Sequence, residues 1–474
     1  MQHKKIARAL ISVSDKEGVV SLARELANNG VEIIASDGTA ALLKDSGIEV
    51  KTVTEVTGSP ELLGGKVKTL HPLIHAALLV DQSNTQQVSE LKGLGPIDLL
   101  IINLYPTSGF DIGGPALTRA AAKNSEHVAV ITAPNQYPEL LSSLKLGTTL
   151  EQRKRWAVSA LLLTTKYDLA LLKERSEPLR YGENPHQDGA LATNNHHEVL
   201  QGKAMSFNNY LDLQAAWELS RSCGTAVAIV KHGIPAGLAQ ANSAAKAFKA
   251  AWECDPISAF GGVVVSELAI DAECAAEITK GFVEVVAANE ITKEALDIFA
   301  TKKNLRVVKL DPPSEVGFAI REIDGGFLFQ SQDRFDNAGD RFENWRLVSG
   351  VAVDDKTAKD LLLAWRTAGK ARSNAVVLVR DGAAIGIGAG SVSRVDAARL
   401  AISKANEFNK AKLSGSVAAS DGFFPFPDGV EALIASGVAA IVQPGGSLKD
   451  DAVIAAAQAA GVTMYLTGQR HFSH

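Results

Sequence analysis

Apolar runs of strand length alternate along this chain with stretches whose apolar residues recur at helical spacing. Residues 6–13 read as a first strand, and Val19, Val20, Leu22, Ala23, Leu26 and Ala27 as the apolar face of a helix. Val31–Ala35 is a second strand, Thr39–Lys44 a short helix and Ile48–Val53 a third strand, and a further strand from Ile97 ends on Asn103 and Tyr105. Strands separated by helices of this size predict βαβ units and a parallel sheet. The capping box Thr149-Leu-Glu-Gln152 opens a long helix running to about Glu174. Two prolines and a glycine in 176–186 break it, which puts a domain boundary there. In the second half the buried-strand run Ala226–Val230 ends on Lys231 and His232, after which Gly233, Pro235 and Gly237 turn the backbone. Ala226–His232 resembles Ala375–Asp381, and Asp255–Phe260 echoes Asp421–Phe426, which predicts a duplicated α/β unit bridged by a more polar span near 311–345. The apolar run Val462–Leu466 would carry the chain's last residues into the fold.

A length of 474 residues allows two or three domains. The 46% hydrophobic content and mean hydropathy of +0.05 are those of an ordinary globular enzyme or binding protein. A net charge of −5 argues against a nucleic-acid partner, which needs a basic domain. Cys223, Cys254 and Cys274 contain no C-x-x-C, so neither a disulfide framework nor a thiolate zinc site is expected. With no apolar run of membrane length and no signal-peptide pattern at the start, the expectation is a cytoplasmic protein without a membrane partner.

The candidate chemistry sits at strand ends. Ser12, Ser14 and Lys16 leave the first strand, and Ser36, Gly38 and Thr39 the second. Hydroxyls, an ammonium and free N–H groups at helix starts make a phosphate cradle, although serine and threonine are equally ordinary N-caps. Lys66 and Lys68 share one face of an extended segment, which suits an anionic substrate. His71 and His75 have helical metal-pair spacing but no third ligand, so no metal is expected. Asp111-Ile-Gly-Gly-Pro115 opens an alanine-rich helix on which Arg119 and Lys123 share a face, and in a packed helix both would point into a site. Lys231 and His232 can take and give protons, the alternative being a strand that simply ends in solvated residues. Gly386-Ile-Gly-Ala-Gly390 follows a strand without completing a dinucleotide fingerprint, and His196-His-Glu198 lacks the P-C-x-x-C of a zinc deaminase.

Read in order, the motifs resemble one family across essentially the whole chain. They are Ser12-Val-Ser-Asp-Lys, Val67-Lys-Thr-Leu-His-Pro, Asn103-Leu-Tyr-Pro, Asp111-Ile-Gly-Gly, Arg119-Ala-Ala-Ala-Lys-Asn and Leu179-Arg-Tyr-Gly-Glu-Asn-Pro-His-Gln. Val230-Lys-His, Ser373-Asn, Ile385-Gly-Ile-Gly-Ala-Gly, Ser393-Arg, Phe423-Phe-Pro-Phe and Arg470-His-Phe-Ser-His complete the set. The chain resembles the bifunctional purine-biosynthesis enzymes that join an aminoimidazolecarboxamide ribotide (AICAR) formyltransferase to an IMP cyclohydrolase.

That resemblance implies an α/β architecture. Residues 1–178 would be a methylglyoxal-synthase-like, doubly wound parallel sheet that closes the ring. Residues 179–345 and 346–474 would be two cytidine-deaminase-like α/β subdomains, without zinc, that transfer the formyl group. It implies 10-formyltetrahydrofolate as co-substrate, no catalytic metal, AICAR and formyl-AICAR as further substrates, and a homodimer with transferase sites between subunits. In the cyclohydrolase, Ser12, Ser14, Lys16, Ser36, Gly38, Thr39, Lys66, Thr69, Asn103 and Gly113 would bind substrate, with Lys68, Tyr105, Asp111 and Lys123 catalytic. In the transferase, Lys231, His232, Asn374 and His474 would be catalytic, with Arg180, Tyr181, Asp255, Arg394, Phe423, Arg470 and Phe472 lining the nucleotide pocket. The chain departs from the family in having Lys66 for the usual arginine, Gly-Ile-Pro-Ala after His232, and a short Tyr105–Asp111 connection. An alternative is a formyltransferase alone, its shortened N-terminal domain binding nucleotide without catalysis.

Overall fold

The main sheet in the first half of the chain has five strands, all paired in parallel. The sheet runs Lys51–Thr52, Glu32–Ala35, Arg8–Ser12, Leu99–Ile102, Ala129–Ile131, so the first strand lies at its centre. Side chains alternate across a strand. Ala9, Ile11, Ile33 and Ile101 therefore pack with Val19, Leu22 and Leu26 of helix Val19–Asn28 on one face. Leu10, Ile34, Leu100 and Ile102 pack on the other with Ile74 and Leu78 of helix Pro72–Leu79 and Leu117 of helix Gly113–Lys123. Leu10 is wholly buried, and truncating it to alanine would cost about 2–5 kcal/mol. The strand expected over 48–53 is cut to Lys51–Thr52, because the Thr52 hydroxyl and the Glu55 carboxylate form a capping box that starts helix Val53–Thr57. The capping box at Thr149 opens helix Leu150–Arg175.

The computed structural model describes residues 3–60, 62–63, 67–194, 197–224, 226–311 and 318–474. Gly64, Gly65, Lys66, His196 and Thr225 lie outside the described residues. The chain divides into two compact units, Met1–Ser176 and Glu177–His474.

The second unit is built on a twelve-stranded sheet made of two matching halves. One half runs, from edge to centre, Glu198–Gln201, Arg306–Lys309, Val285–Ala288, Val263–Ser266, Ala226–Lys231, Ile234–Gln240. The other runs, from centre to edge, Ala383–Gly388, Val376–Arg380, Val417–Ser420, Ala440–Gln443, Thr463–Leu466, Arg346–Ser349. The halves join through the pair Ala239↔Ala383. Helices Phe207–Cys223 and Asp355–Lys370 cover one face through Leu213, Trp217, Leu361 and Trp365. Helices Ala244–Cys254 and Arg394–Phe408 cover the other.

The strand echo is structural: Val227–Val230 and Val376–Val379 have the same register to their neighbours and the same bulge. The second echo is not. Asp255 follows a helix, where Asn409 stands in the other half, whereas Asp421 follows a strand, where Glu267 stands. Two aspartates ahead of phenylalanines were a chance likeness. The glycine-rich run 386–390 is also explained by packing. A Cβ on Gly386 or Gly388 would meet the Ala401 or Ala397 carbonyl oxygen at 2.2 or 2.0 Å, so glycine there lets helix Arg394–Phe408 approach the strand. The three cysteines are buried, and burial pushes each thiol up to about 12.

Candidate functional site

In the first unit, the site residues gather at the carboxyl ends of adjacent parallel strands, where open α/β sheets bind ligands. Ser12 ends the central strand, Ser36 follows the next, and Asn103 follows Leu99–Ile102. The Asn103 carbonyl oxygen accepts from the backbone N–H groups of Ser14 and Asp15 at 2.5 and 2.9 Å, and its amide donates to Asp15 O at 2.9 Å. The Lys16 ammonium lies 2.8 Å from the buried Thr39 hydroxyl, which Ser36 also reaches at 3.3 Å. Gly38 is exposed beside them, on the first turn of helix Asp37–Asp45. Burial, and secondarily the Lys68 charge, hold the Lys16 pKa below its ordinary value. Two ammoniums close enough to disfavour each other's charge suit a bound anion.

Thr69 is buried, and a Cβ on Gly113 would stand 2.7 Å from its hydroxyl and 4.0 Å from Asp111 Oδ1. The Asp111 carboxylate accepts from Gly114 N–H at 2.9 Å and Tyr105 N–H at 3.4 Å, while its own N–H donates to the Tyr167 hydroxyl at 2.8 Å. It thereby closes the short connection from Tyr105, whose ring is half exposed, and caps the helix. Both oxygens of the Asp111 carboxylate are thus engaged by backbone N–H groups. Lys123 is exposed on the last turn of the same helix, about 15 Å along the axis from Gly113 at 1.5 Å per residue. It is therefore not brought to Asp111. Arg119 pairs with Asp168 of helix Leu150–Arg175 and does not enter the site. Burial holds the His75 pKa below its ordinary value, and the His71 ring caps Leu73 N–H at 3.2 Å.

In the second unit, Lys231 ends a strand and is followed by a two-residue turn, His232–Gly233, with φ of 56° and 72°. Positive φ at both positions is the type I′ hairpin geometry. The strand resumes at Ile234, so Pro235 and Gly237 belong to it rather than to the turn. The Asp212 carboxylate, on helix Phe207–Cys223, accepts from His232 and Gly233 N–H at 3.1 and 2.6 Å. The other half repeats the device: Asp360 accepts from Asp381 and Gly382 at 2.9 and 2.7 Å, and Asp381 also has positive φ, 53°. Burial raises the pKa of both bracing aspartates against the pull of those bonds.

The Lys231 ammonium donates to Phe260 O at 2.7 Å and lines a cavity of ≈ 470 Å³ with His232, Asp255, Ser258 and Lys404. Asp255 is buried, which works against its charge, but Lys404 at 2.8 Å and the Ser258 hydroxyl at 2.6 Å outweigh this and hold its carboxyl below the usual range. Arg180 and Tyr181 stack on each other, ring to guanidinium carbon 4.5 Å. Their segment is tied by Glu183 O to Asn208, one turn before Asp212.

The remaining transferase candidates form a second cluster, around the docked C-terminus. Asn374 donates to Ser391 O and Val392 O at 2.9 and 3.1 Å, and Ser373 N–H donates to Ser473 O at 2.9 Å, which places the terminal residues against the 373–374 segment. Arg470 lies 4.6 Å over the Phe472 ring, Phe472 meets the His474 ring edge-on at 5.9 Å, and Phe423 is half buried on the loop after Ser420. Arg394 is buried in an ion pair with wholly buried Asp421, which also takes the Ala375 N–H and the Ser373 hydroxyl. Along the sheet, Lys231 and the strand that follows Asn374 are three strand spacings apart, about 14 Å.

Sequence reasoning missed Asp212, Asp421 and His471. The His471 ring is buried between Asp340 Oδ1 at 2.6 Å and the Asp333 carboxylate at 2.7 and 2.8 Å, stacked on Phe335 at 4.4 Å. No local pattern marks such partners, because each lies 20 or more residues along the chain from the group it holds. Among the described residues no group of three or more His, Cys, Asp or Glu is placed to hold a metal, and no helix is long and apolar enough to cross a membrane.

Comparison with known proteins gives the following. A family model for the AICARFT/IMPCHase bienzyme matches residues 121–404, and an MGS-like domain model matches residues 18–130. The bifunctional purine biosynthesis protein PurH of Mycobacterium marinum is 44% identical over 521 residues, covering 99% of this chain and 98% of that protein. PurH of Mycobacterium ulcerans is 43% identical with the same coverage. A solved structure, the crystal structure of ForH, is 34% identical, covers 35% of this chain and 97% of its own, and gives a TM-score of 0.33. End-to-end coverage of the relatives argues against a formyltransferase working alone. With both halves of the enzyme matched, the chain belongs to the AICAR formyltransferase/IMP cyclohydrolase bienzyme family.

Proposed function

We propose that this chain carries out the last two steps of IMP synthesis, with formyl transfer at the Lys231 cavity and ring closure at the Lys16–Lys68 strand ends. The observation that carries the reading is the Lys231 ammonium, fixed by Phe260 O in a cavity shared with His232 and Asp255.

In the transfer step the AICAR amine attacks the formyl carbon of 10-formyltetrahydrofolate, the bond from that carbon to N10 breaks, and the amine proton ends on N10. Lys231 carries that proton with His232 assisting, Asn374 orients the formyl oxygen, and His474 supports from the docked terminus. Asp255, Arg180, Tyr181, Phe423, Arg470 and Phe472 hold the nucleotide. Arg394 acts through Asp421, by fixing the 373–375 backbone.

In ring closure the carboxamide nitrogen attacks the formyl carbon of the same molecule and the oxygen leaves as water. Ser12, Ser14, Lys16, Ser36, Gly38, Thr39 and Asn103 hold the phosphoribosyl group, and holding a reactive conformer supplies much of the rate. Lys68 and Tyr105 stabilise the developing oxyanion, with Thr69, Gly113 and Asp111 setting their positions. Lys66 is assigned to the same anionic substrate, and Lys123 to proton transfer from the far end of its helix.

Residues 1–178 form the cyclohydrolase domain in this reading. Residues 179–345 and 346–474 form the two transferase subdomains, supported by the matching strand order of the two halves. A homodimer in the cytoplasm goes with it. Lys231 and Asn374 lie at the same end of the sheet but on separate clusters, and a second copy would bring one of each together. The test is a homogeneous enzyme given AICAR and 10-formyltetrahydrofolate, followed for tetrahydrofolate release and IMP. Folate release without IMP would leave only the transferase.

A further inference from the structure

Between the two matching halves of the second unit the chain makes a hairpin that belongs to neither. Strands Phe318–Ile323 and Gly326–Ser331 pair antiparallel and form a two-stranded sheet of their own. Side chains alternate across a strand, so Ala319, Arg321 and Ile323 share one face and Phe318, Ile320 and Glu322 the other. The aromatic rings gather on the second face, where Phe329 meets Phe318 at 5.9 Å and Phe327 at 6.4 Å. Arg321 stands on the first, opposite Leu328, and its guanidinium donates to the main-chain oxygen of His474 at 2.7 Å.

Two residues after the hairpin, Asp333 takes the His471 ring at 2.7 and 2.8 Å. One short stretch of chain, 321–333, therefore reaches the C-terminal tail at two points. Between them Ser473 O accepts from Ser373 N–H at 2.9 Å, beside Asn374. The grips are unequal. His471 is buried between two carboxylates, whereas Arg321 and His474 are exposed. An exposed contact of this kind adds little to the stability of a tail already held at His471 and Ser473.

Its effect is on direction. The bond at Ser473 O fixes one planar peptide unit, and that plane ends at the His474 Cα. Rotation about φ of His474 then decides where its Cβ and imidazole point. The oxygen that Arg321 holds lies beyond that rotation, so the contact limits φ and with it the aim of the ring.

We propose that Arg321 is a positioning residue for formyl transfer, which aims the His474 imidazole by holding the His474 backbone. This rests on the reading that His474 supports transfer from the docked tail. Arg470 and Phe472 depend instead on the His471 and Ser473 contacts, so nucleotide binding is independent of Arg321.

The experiment uses the full-length enzyme with Arg321→Gln, Arg321→Lys, His474→Ala and the Arg321→Gln/His474→Ala pair. For each, kcat and the AICAR KM of formyl transfer are measured, with Tm alongside. The expected result for Arg321→Gln is a kcat lowered about fivefold, the size of one exposed charge-assisted contact, with the AICAR KM and Tm unchanged. Arg321→Lys, which can still donate to the same oxygen, should recover part of the loss. The double variant should be no slower than His474→Ala, since without the imidazole there is nothing left to aim. Equal fractional losses from Arg321→Gln with and without the imidazole would overturn the proposal. So would an unchanged kcat in Arg321→Gln beside a slowed His474→Ala protein. A His474→Ala protein of full speed would instead refute the His474 assignment, and the proposal with it.

Discussion

Lys231 is anchored at both ends, by the strand that carries it and by the Phe260 carbonyl 2.7 Å from its ammonium. Removing that ammonium as Lys231→Ala should lower formyl transfer by about 10²-fold or more. Ring closure of supplied formyl-AICAR should remain unchanged, because that chemistry is assigned to the other unit. His232 is a sharper case, since it occupies a left-handed turn position that costs a non-glycine residue about 1 kcal/mol. His232→Gly should keep or slightly raise Tm while slowing formyl transfer. A glycine variant of full speed would show that the imidazole serves only the turn. Asp212→Ala should lower stability by about 1–3 kcal/mol, read from a denaturant midpoint, because it strips two turn N–H groups of their acceptor. Lys231 and His232 were legible because an apolar run ends on them. Asp212 was not, because nothing within its own helix distinguishes a brace for a turn 20 residues later from an ordinary polar position.

At the scale of elements, His471 fixes the C-terminal segment that follows strand Thr463–Leu466. The ring sits between Asp333 and Asp340, with Trp365 and Phe335 against it, and Lys370 and Glu218 are the other charged groups nearby. Burial works against its charge, but the two carboxylates win and raise its pKa above the ordinary histidine value. The folded pKa therefore lies above the unfolded one, so this contribution is fully present below about pH 6.5 and is lost as pH rises through the folded value. Stability, and the order of Phe472 and His474, should fall on that alkaline side, and a His471→Phe variant should show a flatter profile. Thermal unfolding from pH 5 to pH 9 checks this, and parallel profiles for the two proteins would contradict it. The ordered terminus was foreseeable from the apolar run at 462–466, but its lock was not, since Asp333 and Asp340 lie in a polar span that reads as a linker. Likewise the echo of 226–232 in 375–381 found the duplication, whereas the Asp255–Asp421 echo paired a helix end with a strand end. Short motifs of turn residues recur by composition, but a register with neighbours does not.

For the whole molecule, the chain divides into two compact units, Met1–Ser176 and Glu177–His474, and the proposed function assigns one reaction to the strand ends of each. The joining of two six-stranded halves through one residue pair, Ala239↔Ala383, could not be read from sequence, because apolar periodicity specifies which face is buried and not which strand is the neighbour. Separate sites predict that Lys231→Ala and Lys68→Ala proteins, each deficient in a different step, together convert AICAR to IMP through released formyl-AICAR. The most direct measurement is therefore simultaneous recording of tetrahydrofolate and IMP with the unaltered enzyme and with each variant, from AICAR and 10-formyltetrahydrofolate. The account predicts matched release of both products by the unaltered enzyme, neither from Lys231→Ala, and tetrahydrofolate with accumulated formyl-AICAR from Lys68→Ala. Loss of both products in the Lys68→Ala protein, or unchanged folate release in the Lys231→Ala protein, would contradict it.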